Sequence, residues 1–269
     1  MQTGNPYTNG TSKSGDEPNW QLQATVVALS TGPNGPSDGL GFTNATLVMS
    51  TVRGDGLTLQ PDRPATVMDA ALLRVLLGGA NASAPLVSST WTAFGDAGTL
   101  RWHHVLAVAL DEPFVFAAAD LGPAASAALA VYDWFSPRKG PLAVLVSGAS
   151  NSSFSIPTGT AQPSAPAAAL ALQHLCVVPE LPGGFWLFGE AGKIVPVSKQ
   201  RIAGITLRGD GFEAAVLGSS GEPEGVEFLV ALPGGGGSLS SVLCPSSAGQ
   251  TATLSCALAS GCGCTCPGC

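Results

Sequence analysis

The sequence predicts an all-β protein built as an antiparallel β-sandwich. Three observations carry this expectation. Charged residues make up only 11% of the 269 positions, so few of the i,i+4 ion pairs that lace surface helices can form. Glycine (35) and proline (21) are both frequent, as tight connections between short strands require. From Ser88 onward, apolar segments recur at a spacing of about ten residues, often with Gly or Pro between them. A chain of this length can bury a sizeable core without disulfide staples.

Taken in order, residues 1–19 are polar and rich in Gly, Asn, Ser and Pro, and read as a disordered or extended lead-in. They lack the apolar centre of a signal peptide. Trp20–Leu29 reads as a buried strand, because Val26, Val27, Ala28 and Leu29 run together before a Gly/Pro/Asn/Ser cluster. Residues 31–41 form a loop, where a sheet or barrel usually displays its functional groups. Residues 44–52 read as a strand or a short helix. Residues 54–63 are turn-rich, and Pro64 disfavours helix there. Residues 67–77 allow helix or strand.

The strand series then begins with 89–94, 99–110 and Phe114–Ala117. In the second of these, Leu100, Trp102, Val105 and Leu106 give imperfect alternation. Residues 120–127 hold a short helix or turn with Pro123 near its start. Strands follow at 128–135 and 141–147, then a long surface loop at 148–168. Further strands are expected at 171–178, 185–189, 193–197, Ile202–Arg208, Gly211–Leu217 and 226–232. Gly234–Gly237 is a flexible break, 238–257 a last hairpin, and 258–269 a Cys-rich tail.

Net charge is −7, and the 11 Lys and Arg residues are scattered. No basic stripe is present to neutralise phosphates, so nucleic acid is not an expected partner. No apolar run approaches the roughly 20 residues of a membrane span. Cys176 stands alone in an apolar run and reads as a buried thiol. Cys244 and Cys256 flank the last hairpin. Cys262, Cys264, Cys266 and Cys269 crowd the terminus. Cys266 and Cys269 have the Cys-x2-Cys spacing of a zinc knuckle, but no second knuckle completes a site, so the tail is expected to be disordered. Asn9, Asn44, Asn81 and Asn151 stand in glycosylation sequons that matter only if the chain is secreted. The compartment stays open.

Several residues are candidates for chemistry. Asp38, inside Gly-Pro-Asn-Gly-Pro-Ser-Asp-Gly, either accepts hydrogen bonds from sugar hydroxyls or bonds its own backbone as a turn-former. Arg63 either clamps a carboxylate or sugar hydroxyl, or pairs with Asp55, Asp62 or Asp69 to pin the loop. His103 and His104 are adjacent on a predicted strand and point to opposite faces, so they cannot jointly chelate one ion. His174 has no partner nearby in sequence, and a zinc site from the three histidines is not expected. Trp91, Trp102, Trp134 and Trp186 form either a sugar-stacking platform or core. Ser37 lacks the Gly-x-Ser-x-Gly elbow of a nucleophile.

Gly32-Pro33 through Ser37-Asp38 and Gly41 resembles the Gly-Pro-x-x-x-Ser-Asp-x-x-Gly segment late in the barrel of the raffinose synthase and seed-imbibition group of α-galactosidase-like proteins. Asp55-Gly56, Leu59, Arg63-Pro64 and Asp69 look like the Asp-Gly-x-x-Leu-Arg…Gly-Arg-Pro-Thr-Arg-Asp segment that follows it there. The stretch LCVVPEL at 175–181 is similar to a strand of that family's C-terminal sandwich.

The resemblance implies a division of the chain. Residues 20–80 would be the remnant end of a (β/α)8 barrel with its polar loop, and 81–257 the sandwich. Ser37, Asp38 and Arg63 would touch a galactoside. The family's nucleophilic and acid/base aspartates lie on barrel strands well before this segment. A retaining glycosidase needs two carboxylates about 5–5.5 Å apart, and the strands that would hold them are not expected here. No catalytic residue, metal or cofactor is therefore assigned. The other expectation is a standalone sandwich that binds carbohydrate or a protein partner without chemistry.

Overall fold

The computed structural model describes residues 18–38, 41, 43–77, 85–95, 98–122, 128–135, 141–146, 152–158, 170–222, 224–233 and 239–269. Strands hold 45% of the chain and helices 15%, so the all-β expectation holds. Among the described residues every strand pairing is antiparallel and no barrel is formed.

The strands in chain order are β1 (Thr66–Val67), β2 (Leu86–Phe94), β3 (Leu100–Val108), β4 (Phe114–Ala117), β5 (Ala128–Asp133), β6 (Ala143–Val146) and β7 (Ser153–Ile156). They continue as β8 (Leu172–Pro179), β9 (Trp186–Glu190), β10 (Ile202–Arg208), β11 (Gly211–Leu217), β12 (Val226–Ala231), β13 (Leu239–Cys244), β14 (Thr251–Ala257) and β15 (Gly261–Thr265). A six-stranded sheet runs β1-β2-β3-β8-β5-β6. A four-stranded sheet runs β10-β11-β14-β15, a three-stranded sheet β13-β12-β9, and β4 pairs with β7.

The six-stranded sheet is covered on both faces. One face carries Val87, Val105, Val131, Leu175 and Val177 against Phe114, Phe116 and Ile156 of the β4–β7 ribbon. The other carries Phe94, Trp102, Tyr132, Cys176 and Val178 against Leu187, Phe188, Phe212, Phe228 and Leu254 of the other two sheets. This explains why alternation fails in β3, where every residue but Arg101 is buried: a strand covered on both sides has no wet face.

The first 80 residues differ most from expectation. Trp20–Leu29 is a helix, α1, not a strand. Its buried residues Ala24, Thr25, Ala28 and Leu29 fall at i, i+1, i+4 and i+5, which is one stripe of a 3.6-residue period. Helix α2 spans Ala45–Met49, with the Asn44 side chain capping Leu47 N at 3.2 Å. Helix α3 spans Asp69–Leu77. Helices α1 and α2 share a third core with Leu106, Val108, Leu172, Ile194 and Val195. No described helix is long and apolar enough to cross a membrane.

Three other expectations need correction. Residues 193–197 form buried turns rather than a strand, tied to the N-terminal segment by Ile194 N donating to Ser50 O at 2.8 Å. Residues 238–257 are not a hairpin: β13 pairs with β12, whereas β14 pairs with β11 and β15. The terminal residues are ordered as β15 and cross-linked. Disulfides join Cys244 to Cys264, Cys256 to Cys262 and Cys266 to Cys269, leaving Cys176 as the one free and buried thiol. The 148–168 loop contains β7. Residues 148–151 and 159–168 of that loop, residues 1–17 of the 1–19 lead-in and the Gly234–Gly237 break lie outside the described residues.

Candidate functional site

The loop residues singled out by sequence do not build a reactive centre. Ser37 is exposed and Asp38 half-buried. Arg63 is exposed; it donates to Thr66 Oγ1 at 2.7 Å and its guanidinium lies 6.0 Å from the Trp91 ring centroid. Two of the three carboxylates proposed to pin it are held by other cations. Asp55 pairs with Arg53, and Asp62 pairs with Lys199 at 2.7 Å while accepting from Ala93 N at 3.0 Å.

The tryptophans pack rather than form a platform. Trp102 is buried and donates to Leu187 O at 2.8 Å; Trp134 donates to Lys193 O at 2.5 Å. Trp91 is covered by Arg101, whose guanidinium sits 4.6 Å from the ring centroid.

The sheet instead assembles a cluster that sequence reasoning left scattered. Register places His104 opposite Cys176 and Leu106 opposite His174, so His104 and His174 are diagonal neighbours on one face of the β3–β8 pair. His104 Nδ1 lies 3.1 Å from His174 Nε2. Cys176 Sγ lies 3.5 Å from His104 Nδ1 and 4.0 Å from His174 Nε2. All three side chains are 2% exposed or less.

Tyr132 of β5 stands opposite Cys176 on the other side and donates to Phe188 O at 2.8 Å. The Trp134 ring stacks on His174, centroids 5.6 Å apart. His103 points to the opposite face, as its adjacency to His104 requires.

Burial sets the protonation of this cluster. It lowers His104 to about 4 and His174 well below its ordinary value, so both rings are neutral at pH 7. It raises the Cys176 thiol to about 12. A buried, protonated thiol is not a nucleophile. Two facing ring nitrogens of neutral imidazoles share one proton, so one donates and the other accepts. The outer nitrogens, His104 Nε2 and His174 Nδ1, have no hydrogen-bond partner among the described residues. Three neutral donors converging on one point can do one further thing: ligate a metal.

The sequence carried half of this signal. His174-x-Cys176 on a strand puts both side chains on one face. Only the register between β3 and β8 brings His104 to them.

A second buried cluster is structural. Arg201, fully buried, makes bonds to Glu190 at 2.6 and 3.3 Å, to Glu222 at 3.0 Å with a second contact, and to Leu217 O at 2.8 Å. Glu222 also accepts from Gly54 N at 2.9 Å and Ser246 Oγ at 2.8 Å, which ties the N-terminal segment to the sandwich. Burial alone would raise the Glu222 carboxyl; the Arg201 and Gly54 hydrogen bonds outweigh it and hold the group at about 2. Gly189 serves the same corner. At φ 101° it brings the chain so close to Pro196 O that an added Cβ would sit 2.5 Å away.

No family model and no curated protein matches this chain.

Proposed function

We propose that this chain is the C-terminal β-sandwich part of a carbohydrate-active protein of the α-galactosidase and raffinose synthase kind, without catalysis of its own. On this reading residues 20–80 are the end of its barrel. Ser37, Asp38 and Arg63 belong to a loop that approaches a galactoside at the barrel mouth.

The supporting observation is the apolar surface of α3. On this nine-residue helix Leu72, Leu73, Val75, Leu76 and Leu77 are all exposed, the last two by 75% and 81%. Fully burying a leucine is worth about 1.5–3 kcal/mol. Such a surface is the kind that further polypeptide covers, and α3 lies in the segment that carries the resemblance. Three disulfides in the C-terminal part suit an oxidising compartment.

The test is enzymatic and direct. The purified chain should show no hydrolysis of melibiose or raffinose and no galactosyl transfer. It should bind raffinose weakly, seen by tryptophan fluorescence, and lose that binding in Asp38→Ala and Arg63→Ala. Robust turnover by the purified chain would overturn the proposal.

A further inference from the structure

We propose that His104, His174 and Cys176 form a buried three-donor site for a soft monovalent metal, copper(I). The geometry carries this. A closed-shell ion bound at about 2.0–2.1 Å to nitrogen and about 2.3 Å to sulfur sets donor separations of about 3.3–3.6 Å (N···N) and 3.5–3.8 Å (N···S). The three separations in the sheet are 3.1, 3.5 and 4.0 Å. An ion at the centre of this triangle needs side-chain adjustments of a few tenths of an ångström and no backbone change.

Charge and hardness select the metal. Thiolate and imidazole are ligands for copper and zinc, not for magnesium or calcium. One thiolate cancels the single charge of copper(I). Zinc(II) would leave a net positive charge among side chains that are 2% exposed or less, and an uncompensated charge in such a place is costly. The carboxylate whose field reaches Cys176 is Asp133. Its Oδ1 is engaged by Phe135 N at 3.0 Å.

Binding exchanges one proton for one metal ion. The thiol S–H breaks, a copper–sulfur bond forms, and the proton leaves to solvent. One facing ring nitrogen already offers a lone pair; the other ring moves the shared proton from its facing to its outer nitrogen, which frees a second lone pair without changing the proton count. No electron moves. The outer ring nitrogens find no described partner, while the Tyr132 hydroxyl bears on the Cys176 sulfur and favours its thiolate.

The experiment uses the full chain with its three disulfides intact, titrated anaerobically with copper(I) buffered by bicinchoninate. One copper per chain should bind and one proton should be released. X-ray absorption at the copper edge should show one sulfur and two nitrogens. Cys176→Ser and His174→Gln should each weaken binding by more than about 100-fold, beyond what losing an outer hydrogen-bond partner costs. Their circular dichroism and melting curves report whether they fold. If they do not, absorption on the unaltered chain decides alone. No retained copper, a sulfur-only shell from the terminal cysteines, or tighter one-to-one binding of zinc(II) would each overturn the proposal.

Discussion

Acid should unfold this protein early, well before its carboxylates titrate. Folding holds three histidines neutral: burial lowers His103 to about 3 and His104 to about 4, and drives His174 well below its ordinary value. In the unfolded chain each takes up a proton near pH 6.5. Below that pH the unfolded state binds more protons, so stability falls as pH falls. The contribution is complete above pH 6.5 and drains away towards the folded values near 4 and 3. Between pH 7 and pH 5 each neutral histidine accounts for a loss of about 2 kcal/mol.

Glu190 works in the opposite sense, because burial raises its carboxyl and its proton uptake adds stability in acid. The three histidines together account for about 6 kcal/mol, which Glu190 offsets in part, against a typical total of about 5–15 kcal/mol. Urea midpoints at pH 7, 6 and 5, with chelator present, measure it. The His103→Gln variant should remove about a third of the pH slope. A midpoint constant across this range, or a variant with the parent's slope, would show that these rings are not held neutral by the fold.

Two further outcomes are expected. Arg201→Met should cost about 3–5 kcal/mol at pH 7 in urea melts, because it strands the buried Glu190 and the partly buried Glu222. The Glu222 share of that loss is present above pH 4.5 and fades towards pH 2, so parent and variant should converge in acid; parallel curves would contradict the ion network. Thiol titration of the chain unfolded without reductant should find one thiol, from Cys176, and the folded chain should show none. Cys244→Ala with Cys264→Ala should cost about 3 kcal/mol by opening a loop with a sequence separation of 20, and a loss below about 1 kcal/mol would tell against that cross-link.

The sandwich was legible because its strands are short and punctuated. Ile202–Arg208, Gly211–Leu217 and Phe114–Ala117 have the bounds that turn residues predict. The N-terminal segment misled, since the run Val26–Leu29 looks like a strand core in isolation. Its helical sense lies in Ala24 and Ala28, small residues that a hydrophobic run outweighs to the eye. The terminal cysteines looked like a biased tail because Cys244 and Cys256, the partners of Cys264 and Cys262, lie in other strands. The same limit hid the histidine–cysteine cluster: His104 and Cys176 meet only through a pairing register set by the whole sheet.

The Cys244–Cys264 bond runs from β13 in one sheet to β15 in another. Tension applied at the C-terminus therefore passes through sulfur directly into β13 instead of peeling β15 from β14 one hydrogen bond at a time. The segment enclosed by that bond, with its sequence separation of 20, never enters the load path. Stretched in a single-molecule experiment, the oxidised molecule would extend roughly 70 Å less than the reduced one, with the hidden length released only when the bond is cut.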